Sequence, residues 1–568
     1  LNVTAAFIEA ARGLSHVDLL LTNARIVNVF NGEIEHGNVA VHQGRVVGIG
    51  DYRLAREIID LDGRYLLPGY INGHTHIESS MLDINRYAEA VISRGTLGVV
   101  TDLHEIANVC GMRGIEYILD SARRLPFSLF VMAPSCVPAT AMETSGASLS
   151  AGDTRSLLRR KGVIGLGEMM NFPGVLAGDG EVLAKINAAA SSIVDGHAPG
   201  LGAFDLNAYI GAGASSDHES VSLEEAREKL ARGMYVMIRE GSSEKNLEEL
   251  LPLVSDKTYK RCLFVVDDRS CADLLYDGDV DAIVRKAIRL GLEPVRAVQM
   301  ASINAAERFD LKHVGAVAPG YYADLQVVSD INRPEADLVF RRGRLVARGG
   351  KAVFKVSQDV RPTPGGSFNV GDFGTEHLRL KPKSAVFPVI EVVPGQIITR
   401  KLETEPPLDG SGFIAADIER DILKLAVVER HAGSGNVGVG LVKGFGFKCG
   451  ALASSVAHDS HNIVAVGTCD ADLTIAIREV VRMQGGLAVV SQGRVLKTLA
   501  LPIAGLMSDR PLSEVAAVFG EVGQAARDVG CVLAAPFAVL SFLALPVIPE
   551  LRLTDRGLVD VNTFRFIG

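Results

Sequence analysis

Paired cysteines are missing from this 568-residue chain. Its seven cysteines (Cys110, Cys136, Cys262, Cys271, Cys449, Cys469 and Cys531) are odd in number and show no C-x-x-C spacing. That argues against a disulfide framework and a cysteine-rich zinc site, and predicts reduced thiols in a cytoplasm. A basic surplus is missing too. Lys and Arg number 58 against 67 Asp and Glu, a formal net charge of −9. Long nucleic acids need a basic surface and are not expected partners; a small heterocycle without phosphate is not excluded. No uninterrupted long apolar run occurs. The most apolar stretch, Cys531 to Val547, is broken by Pro536 and Pro546, so it reads as a fully buried core segment and not as a membrane span. Residues Leu1 to Leu14 lack a basic start followed by an apolar run, so no secretory leader is read there.

What is present is a chain long enough for several domains, with 48% apolar residues to bury. Residues 1–66 hold short β-type runs punctuated by Asn31-Gly32 and Gly44, and residues 312–360 look similar. Gly44-Arg45-Val46-Val47 even echoes Gly343-Arg344-Leu345-Val346. These two flanks predict one small β-sandwich domain. Between them, in residues 67–311, strand and helix signals alternate. Eight strands are expected, each ending in a polar cluster: Tyr65–Asn72, Leu97–Thr101, Leu129–Ala133, Gly162–Gly167, Ser192–Asp195, Gly211–Ser215, Tyr235–Ile238 and Cys262–Val266. Leu223–Arg232 and Asp279–Leu290 read as helices. The fold class is therefore α/β: a (β/α)8 TIM-type barrel, whose chemistry collects at the C-terminal ends of its strands. An open doubly wound sheet is disfavoured because no G-x-G-x-x-G turn follows a first strand. Pro362, Pro364, Gly365-Gly366 and Gly371 mark residues 356–376 as a linker. Residues 377–568 form an additional C-terminal α/β domain with its own core.

The sharpest local signal is His74-Thr75-His76. On a strand, residues i and i+2 point the same way, so two imidazoles can face one metal. Gly73 beside them is expected to leave room for an ion. Glu168, His197, His218 and Asp267 stand at later strand ends, and imidazole with carboxylate suits divalent transition metals. Asp267 and Asp268 compete for one role. Alternation past Val266 turns Asp267 inward and sends Asp268 to the other face, to pair with Arg269 or a loop amide. Asp102, His104 and Glu105 end the second strand; Asp102 is read as an auxiliary metal contact, against a solvated loop. Arg239-Glu240 either orients substrate or forms a structural ion pair. His458-Asp459-Ser460-His461-Asn462 either closes over the substrate or binds an extra ion, or it caps a helix with both histidines on its surface.

The segments Pro68 to Ser80, His104 to Val109, Gly167 to Met170, Asp195 to Leu201, His218-Glu219-Ser220, Ile238 to Ser242 and Asp267-Asp268-Arg269 resemble the amidohydrolase superfamily, and within it the bacterial-type adenine deaminase family. Val437 to Gly446 and Ser455 to Ile463 extend the likeness through the last domain. Val266, where the family has a threonine, and Asp217 depart from its pattern. The resemblance implies a two-metal centre, with manganese or iron expected and zinc compatible. In it His74 and His76 hold one ion, His197 and His218 the other, Glu168 bridges, and Asp267 both binds metal and moves protons. It implies hydrolytic deamination of adenine to hypoxanthine, with Glu105 or Glu240 protonating the ring at N1 and with His104, Arg239, His458 and His461 as substrate contacts. A cytoplasmic homodimer without membrane or nucleic-acid partners is expected. Alternatives are another aminohydrolase or cyclic-amide hydrolase, although the latter commonly bridge with a carboxylated lysine, and a degenerate, non-enzymatic scaffold.

Overall fold

The computed structural model describes residues 4–355 and 368–567. Pro362, Pro364 and Gly365-Gly366 of the expected linker, and the first three residues of the chain, lie outside the described residues.

Eight parallel strands make the barrel. Five run in the order Ile193–Gly196, Val163–Met169, Ser128–Ala133, Thr96–Asp102 and Tyr70–Thr75, and three in the order Ser216–Asp217, Tyr235–Arg239 and Cys262–Val265. Two parallel bridges close the ring, Val194 with Ala214 and Thr75 with Asp267. At the second, the Asp267 amide donates to the His74 carbonyl at 3.0 Å and the His76 amide donates to the Asp267 carbonyl at 3.1 Å. Ile71, Val100, Met132, Met237, Leu263 and Val265 share one buried cluster, a packed barrel interior of branched and flexible apolar side chains.

Two strand expectations need correction. Tyr65–Asn72 is not one strand. Tyr65–Pro68 belongs to the neighbouring sheet and the barrel begins at Tyr70, because a Cβ at Gly69 would lie 2.6 Å from the Leu97 side chain and only glycine lets the chain cross between sheets there. The sixth strand is not Gly211–Ser215. Gly211 ends the helix Ala203–Gly211, and the strand is the two residues Ser216–Asp217. The run Gly211 to Ser215 has no β-branched or aromatic side chain to hold an extended pairing.

The flanks of the barrel do join. Tyr65–Pro68 lies between Val17–Val27 and Leu325–Val328 in a nine-stranded sheet. Leu21, Ile26 and Val41 from one flank share a core with Leu325, Val327 and Phe340 from the other. The echoed Gly-Arg segments are two equivalent hairpins. Gln43-Gly44 (φ 51° and 74°) and Arg342-Gly343 (φ 48° and 74°) take the left-handed pair of a two-residue turn.

The C-terminal unit carries a mixed eight-stranded sheet, antiparallel except where Phe387–Val392 pairs with Val437–Lys443. Alternation along Ile422–Val428 divides its two faces. Ala426 and Val428 pack with Leu473, Ile477 and Val480 of the helix Asp470–Arg482. Leu423, Leu425 and Val427 instead join a cluster with Val91, Leu103 and Ile106 of the barrel. That second face is covered within the same unit, by Leu551–Thr554 and by Phe537 and Leu540 of Pro536–Phe542, and the cluster reaches the barrel only through its further members. Within the apolar stretch Cys531 to Val547, Phe537, Leu540 and Leu543 are buried while Val532 is 73% exposed, so the segment is not buried throughout. No helix among the described residues is long and apolar enough to cross a membrane.

Candidate active site

The strand ends deliver their polar residues to one rim. Glu168, the penultimate residue of Val163–Met169, lies at the centre. Its Oε1 is 3.2 Å from His76 Nε2, 3.5 Å from His104 Nδ1 and 3.8 Å from His74 Nε2. Its Oε2 is 2.7 Å from His197 Nδ1 and 3.3 Å from His218 Nε2. Asp267 Oδ1 stands 3.2 Å from His76 Nε2 and 3.5 Å from His74 Nε2. Overlapping ligand groups result, among them His74 with His76 and Glu168, His74 with His218 and Asp267, and Glu168 with His197 and His218, the ligand atoms of each group lying within 4.8 Å of one another.

These residues fit metal ions. Atoms bound at about 2.1 Å to one ion sit about 3.0–3.4 Å apart, and most of the separations above fall near that range. His74 is fully buried, and its Nε2 lacks a hydrogen-bond partner among the described residues. A buried ring nitrogen left unpaired in this way is costly unless something outside the chain meets it. Burial opposes ionisation of Glu168, but the imidazoles of His197, His218 and His76 outweigh it and hold the carboxyl well below its usual range. Asp267 is held low in the same way by His74 and His76, against burial. Anionic oxygens facing imidazole nitrogens are what a divalent transition metal requires.

A surrounding layer fixes these groups. Asp102 groups with His104 and Glu168 among the candidate metal-holding clusters, and its Oδ1 accepts from the His104 amide at 3.1 Å and its Oδ2 from the Glu168 amide at 2.9 Å. A Cβ at Gly167 would lie 1.9 Å from Asp102 Oδ2, so glycine is needed there. Gly73 does not leave room for an ion as expected. The space of its missing Cβ is taken by Leu263 and Val265 of the eighth strand. Asp195 Oδ2 stands 3.3 Å from His74 Nδ1. Asp217, the residue that departs from the family pattern, is held by Lys229 Nζ at 2.8 Å in a fully buried ion pair.

Arg239 is engaged by protein carboxylates. It grips Glu219 through both terminal nitrogens and donates to Asp267 Oδ2 at 2.9 Å. Glu240 is turned away from the rim, contrary to the expectation of an N1 acid. Its carboxylate takes Lys286 Nζ at 2.6 Å and the Leu247 amide at 3.1 Å. Glu105 is brought in, and by an unforeseen route. His458 Nδ1 donates to Glu105 Oε1 at 2.6 Å, and His461 Nε2 donates to Oε2. His104 Nε2 is 3.4 Å from the same carboxylate. The two histidines lie in a turn, not on a helix, and both are buried or nearly so; the helix-cap reading is overturned.

The tautomer of His461 is set by the Ala457 amide, which donates to its Nδ1 at 3.1 Å; Nε2 therefore carries the hydrogen given to Glu105. Burial pushes the His461 pKa down to about 4, so it donates as a neutral ring. His458 goes the other way, up to about 10: burial lowers it, and the Glu105 charge more than compensates. The pair therefore stores one proton on His458 beside an ionised Glu105.

Asp268 was placed on the wrong face by strand alternation. Asp267 has φ +58°, a left-handed turn of the backbone that resets the alternation. Asp268 consequently joins His76 and Asp267 in one cluster and accepts from Ser79 Oγ. Glu219 and Asp195 were also missed as site residues. Each directly neighbours a histidine or belongs to a strand end already singled out, and that adjacency was the available signal.

Two sequence families match the chain. The amidohydrolase family matches residues 65–348 and the adenine deaminase C-terminal domain matches residues 396–565. The adenine deaminase of Dehalococcoides mccartyi (strain CBDB1) is 60% identical over 560 residues, covering 99% of this chain and 98% of that protein. The adenine deaminase of Desulfatibacillum aliphaticivorans is 49% identical over 99% of this chain and 98% of its own length. Adenine deaminase 2 of Carboxydothermus hydrogenoformans is 47% identical, again over 99% and 98%.

Proposed function

The chain belongs to the adenine deaminase family of amidohydrolases, and from that premise we propose how its own residues carry out the hydrolytic deamination of adenine to hypoxanthine and ammonia. The observation that supports the reading most is the convergence of His74, His76, Glu168, His197, His218 and Asp267 on one rim from five strand ends. His74, His76 and Asp267 would hold one divalent ion and His197 and His218 a second, with Glu168 within reach of both sets; manganese or iron is the expected metal and zinc is compatible. Such ions would supply Lewis acidity that lowers the pKa of a water.

Asp267 takes the proton from the attacking water and later gives one to the departing amine. Arg239 keeps Asp267 aimed by holding its other oxygen. Glu105 with His458 forms the proton store that serves N1 of the purine, so that attack at C6 meets a ring able to accept charge. Glu240, tied to Lys286, is removed from that role. His461 and His104 bound the same space and complete the substrate pocket. Asp102 is read as a positioning residue for Glu168 and His104 rather than as a ligand.

At the level of domains, residues 1–66 with 312–360, residues 67–311 and residues 377–568 are taken as sheet, barrel and closing unit. Free thiols at all seven cysteines support a reducing, cytoplasmic setting. A homodimer is proposed, for which mass in solution is the measure. The function is tested by ammonia release from a panel of purines, pyrimidines and cyclic amides. Adenine should be the best substrate; an inert adenine beside a ring-opened cyclic amide would refute the assignment.

A further inference from the structure

His197 and His218, the histidines read as facing the second ion, stand on short supports. His218 follows the two-residue strand Ser216–Asp217, and His197 follows the four-residue strand Ile193–Gly196. Beside them lies a charge pair that the mechanism does not use. Lys229, on the helix Leu223–Ala231, meets Asp217 at 2.8 Å, and both side chains are fully buried.

The bonds of this pair go to the chain around both histidines. Asp217 Oδ1 accepts from the Ala198 amide at 2.9 Å, and Lys229 Nζ donates to the Ala198 carbonyl at 2.7 Å. The residue after His197 is thereby held at both of its backbone polar groups. Asp217 Oδ2 accepts from the Glu219 amide at 3.2 Å, the Ser220 amide at 3.0 Å and Ser220 Oγ at 2.8 Å. His218 is thus bracketed, by Asp217 before it and by two residues after it that Asp217 itself holds. The third donor of Lys229 goes to Glu225 Oε1 at 2.7 Å, and the same oxygen accepts from the Gly200 amide at 2.8 Å, which ties the loop past His197 a second time.

Bracing a helix against a strand does not call for these charges. Burying them costs desolvation, and well-packed apolar residues of similar volume often hold two elements as well or better. An apolar pair has no donor for a carbonyl and no acceptor for an amide, so it cannot fix the backbone of Ala198. The residues read as facing the first ion are held by other means: the Asp267 amide donates to the His74 carbonyl and the His76 amide to the Asp267 carbonyl, within the bridge that closes the barrel. We propose that Lys229, acting through Asp217 and the Ala198 backbone, is a positioning residue that aims His197 and His218 at the second ion, so that its loss releases that ion and leaves the first. This rests on the two-ion reading of the rim and deepens it.

Manganese-loaded wild type and Lys229→Met, dialysed against graded concentrations of a chelator, test it. Manganese per chain and the electron paramagnetic resonance spectrum are read at each step, together with the melting temperature. Wild type should hold two ions with the spectrum of a coupled pair. The variant should release one of them at a chelator concentration about 10–100-fold lower, its spectrum passing to that of a single manganese, while the other ion keeps its wild-type affinity. Lys229→Met leaves the Asp217 charge buried and unpaired, so the double variant Lys229→Met with Asp217→Asn, which removes both charges, is measured beside it should the single variant not fold. The same selective release is expected of it. A lowered melting temperature with both ions held as in wild type would overturn the proposal, since that is what a pair bracing only the fold would give. Equal weakening of the two ions would overturn it as well. A wild type that binds fewer than two ions per chain would instead sink the two-ion reading, a separate result.

Discussion

Two buried carboxylates, Glu168 and Glu105, are each surrounded by imidazoles, and the spacing separates their jobs. Around Glu168 the nitrogens of His74, His76, His104 and His218 stand at 3.2–3.8 Å, with His197 nearest at 2.7 Å. Around Glu105 the two histidines of the C-terminal unit close to contact, His458 at 2.6 Å. The same two residue types therefore make a cluster open enough for an ion in one place and a proton-holding latch in the other. Glu168 gathers ligands from its own barrel, while Glu105 is completed by histidines 353 and 356 residues away. Under the proposed mechanism the cation cradle lies within the barrel, and the proton-holding pair is divided between the barrel and the C-terminal unit.

The comparison breaks most sharply at Glu168. Glu168→Gln should lose bound metal and lower kcat/KM on the order of a thousandfold, several kcal/mol of transition-state stabilisation; metal content and turnover measured together check it. Glu105→Gln should keep its metal yet lose kcat by roughly 10²–10⁴. Metal loss in that variant would erase the distinction between the two clusters. Asp102→Asn should weaken metal affinity by about 10–100-fold without abolishing it, since it acts through the orientation of Glu168; competition with a chelator reads this. The smallest effect concerns the latch and pH. The folded pKa of His458 lies above its ordinary value because Glu105 outweighs burial. Its contribution to stability is therefore complete below about pH 6.5 and is lost as pH rises toward about 10. Denaturant titrations of wild type and His458→Gln should converge across that window, and parallel curves would show that the latch carries no charge.

Much of this was legible in the sequence where the signal is local. H-x-H at a strand end, Glu168 after an apolar run and the histidines of the fifth and sixth units all landed on the rim, because strand termini in a barrel point one way. What failed was local logic carried past its range. Alternation misassigned Asp268 because Asp267 turns left-handed. Glu240 was lost to Lys286, a partner 46 residues away that no spacing rule reveals. The two-residue sixth strand has almost no strand composition to detect. The latch on Glu105 needs the turn bearing His458 and His461 to reach the end of the second barrel strand, a tertiary fact with no periodicity to announce it. The turn at His458 was visible as a polar cluster, but its address was not.

The account stands on two cations held about Glu168, and anomalous scattering from crystals of the metal-loaded enzyme with hypoxanthine addresses it directly. Two peaks are predicted at the barrel rim, one beside His74, His76 and Asp267 and one beside His197 and His218, both bordering Glu168. An empty rim in protein that still deaminates adenine, or metal found only elsewhere, would contradict it.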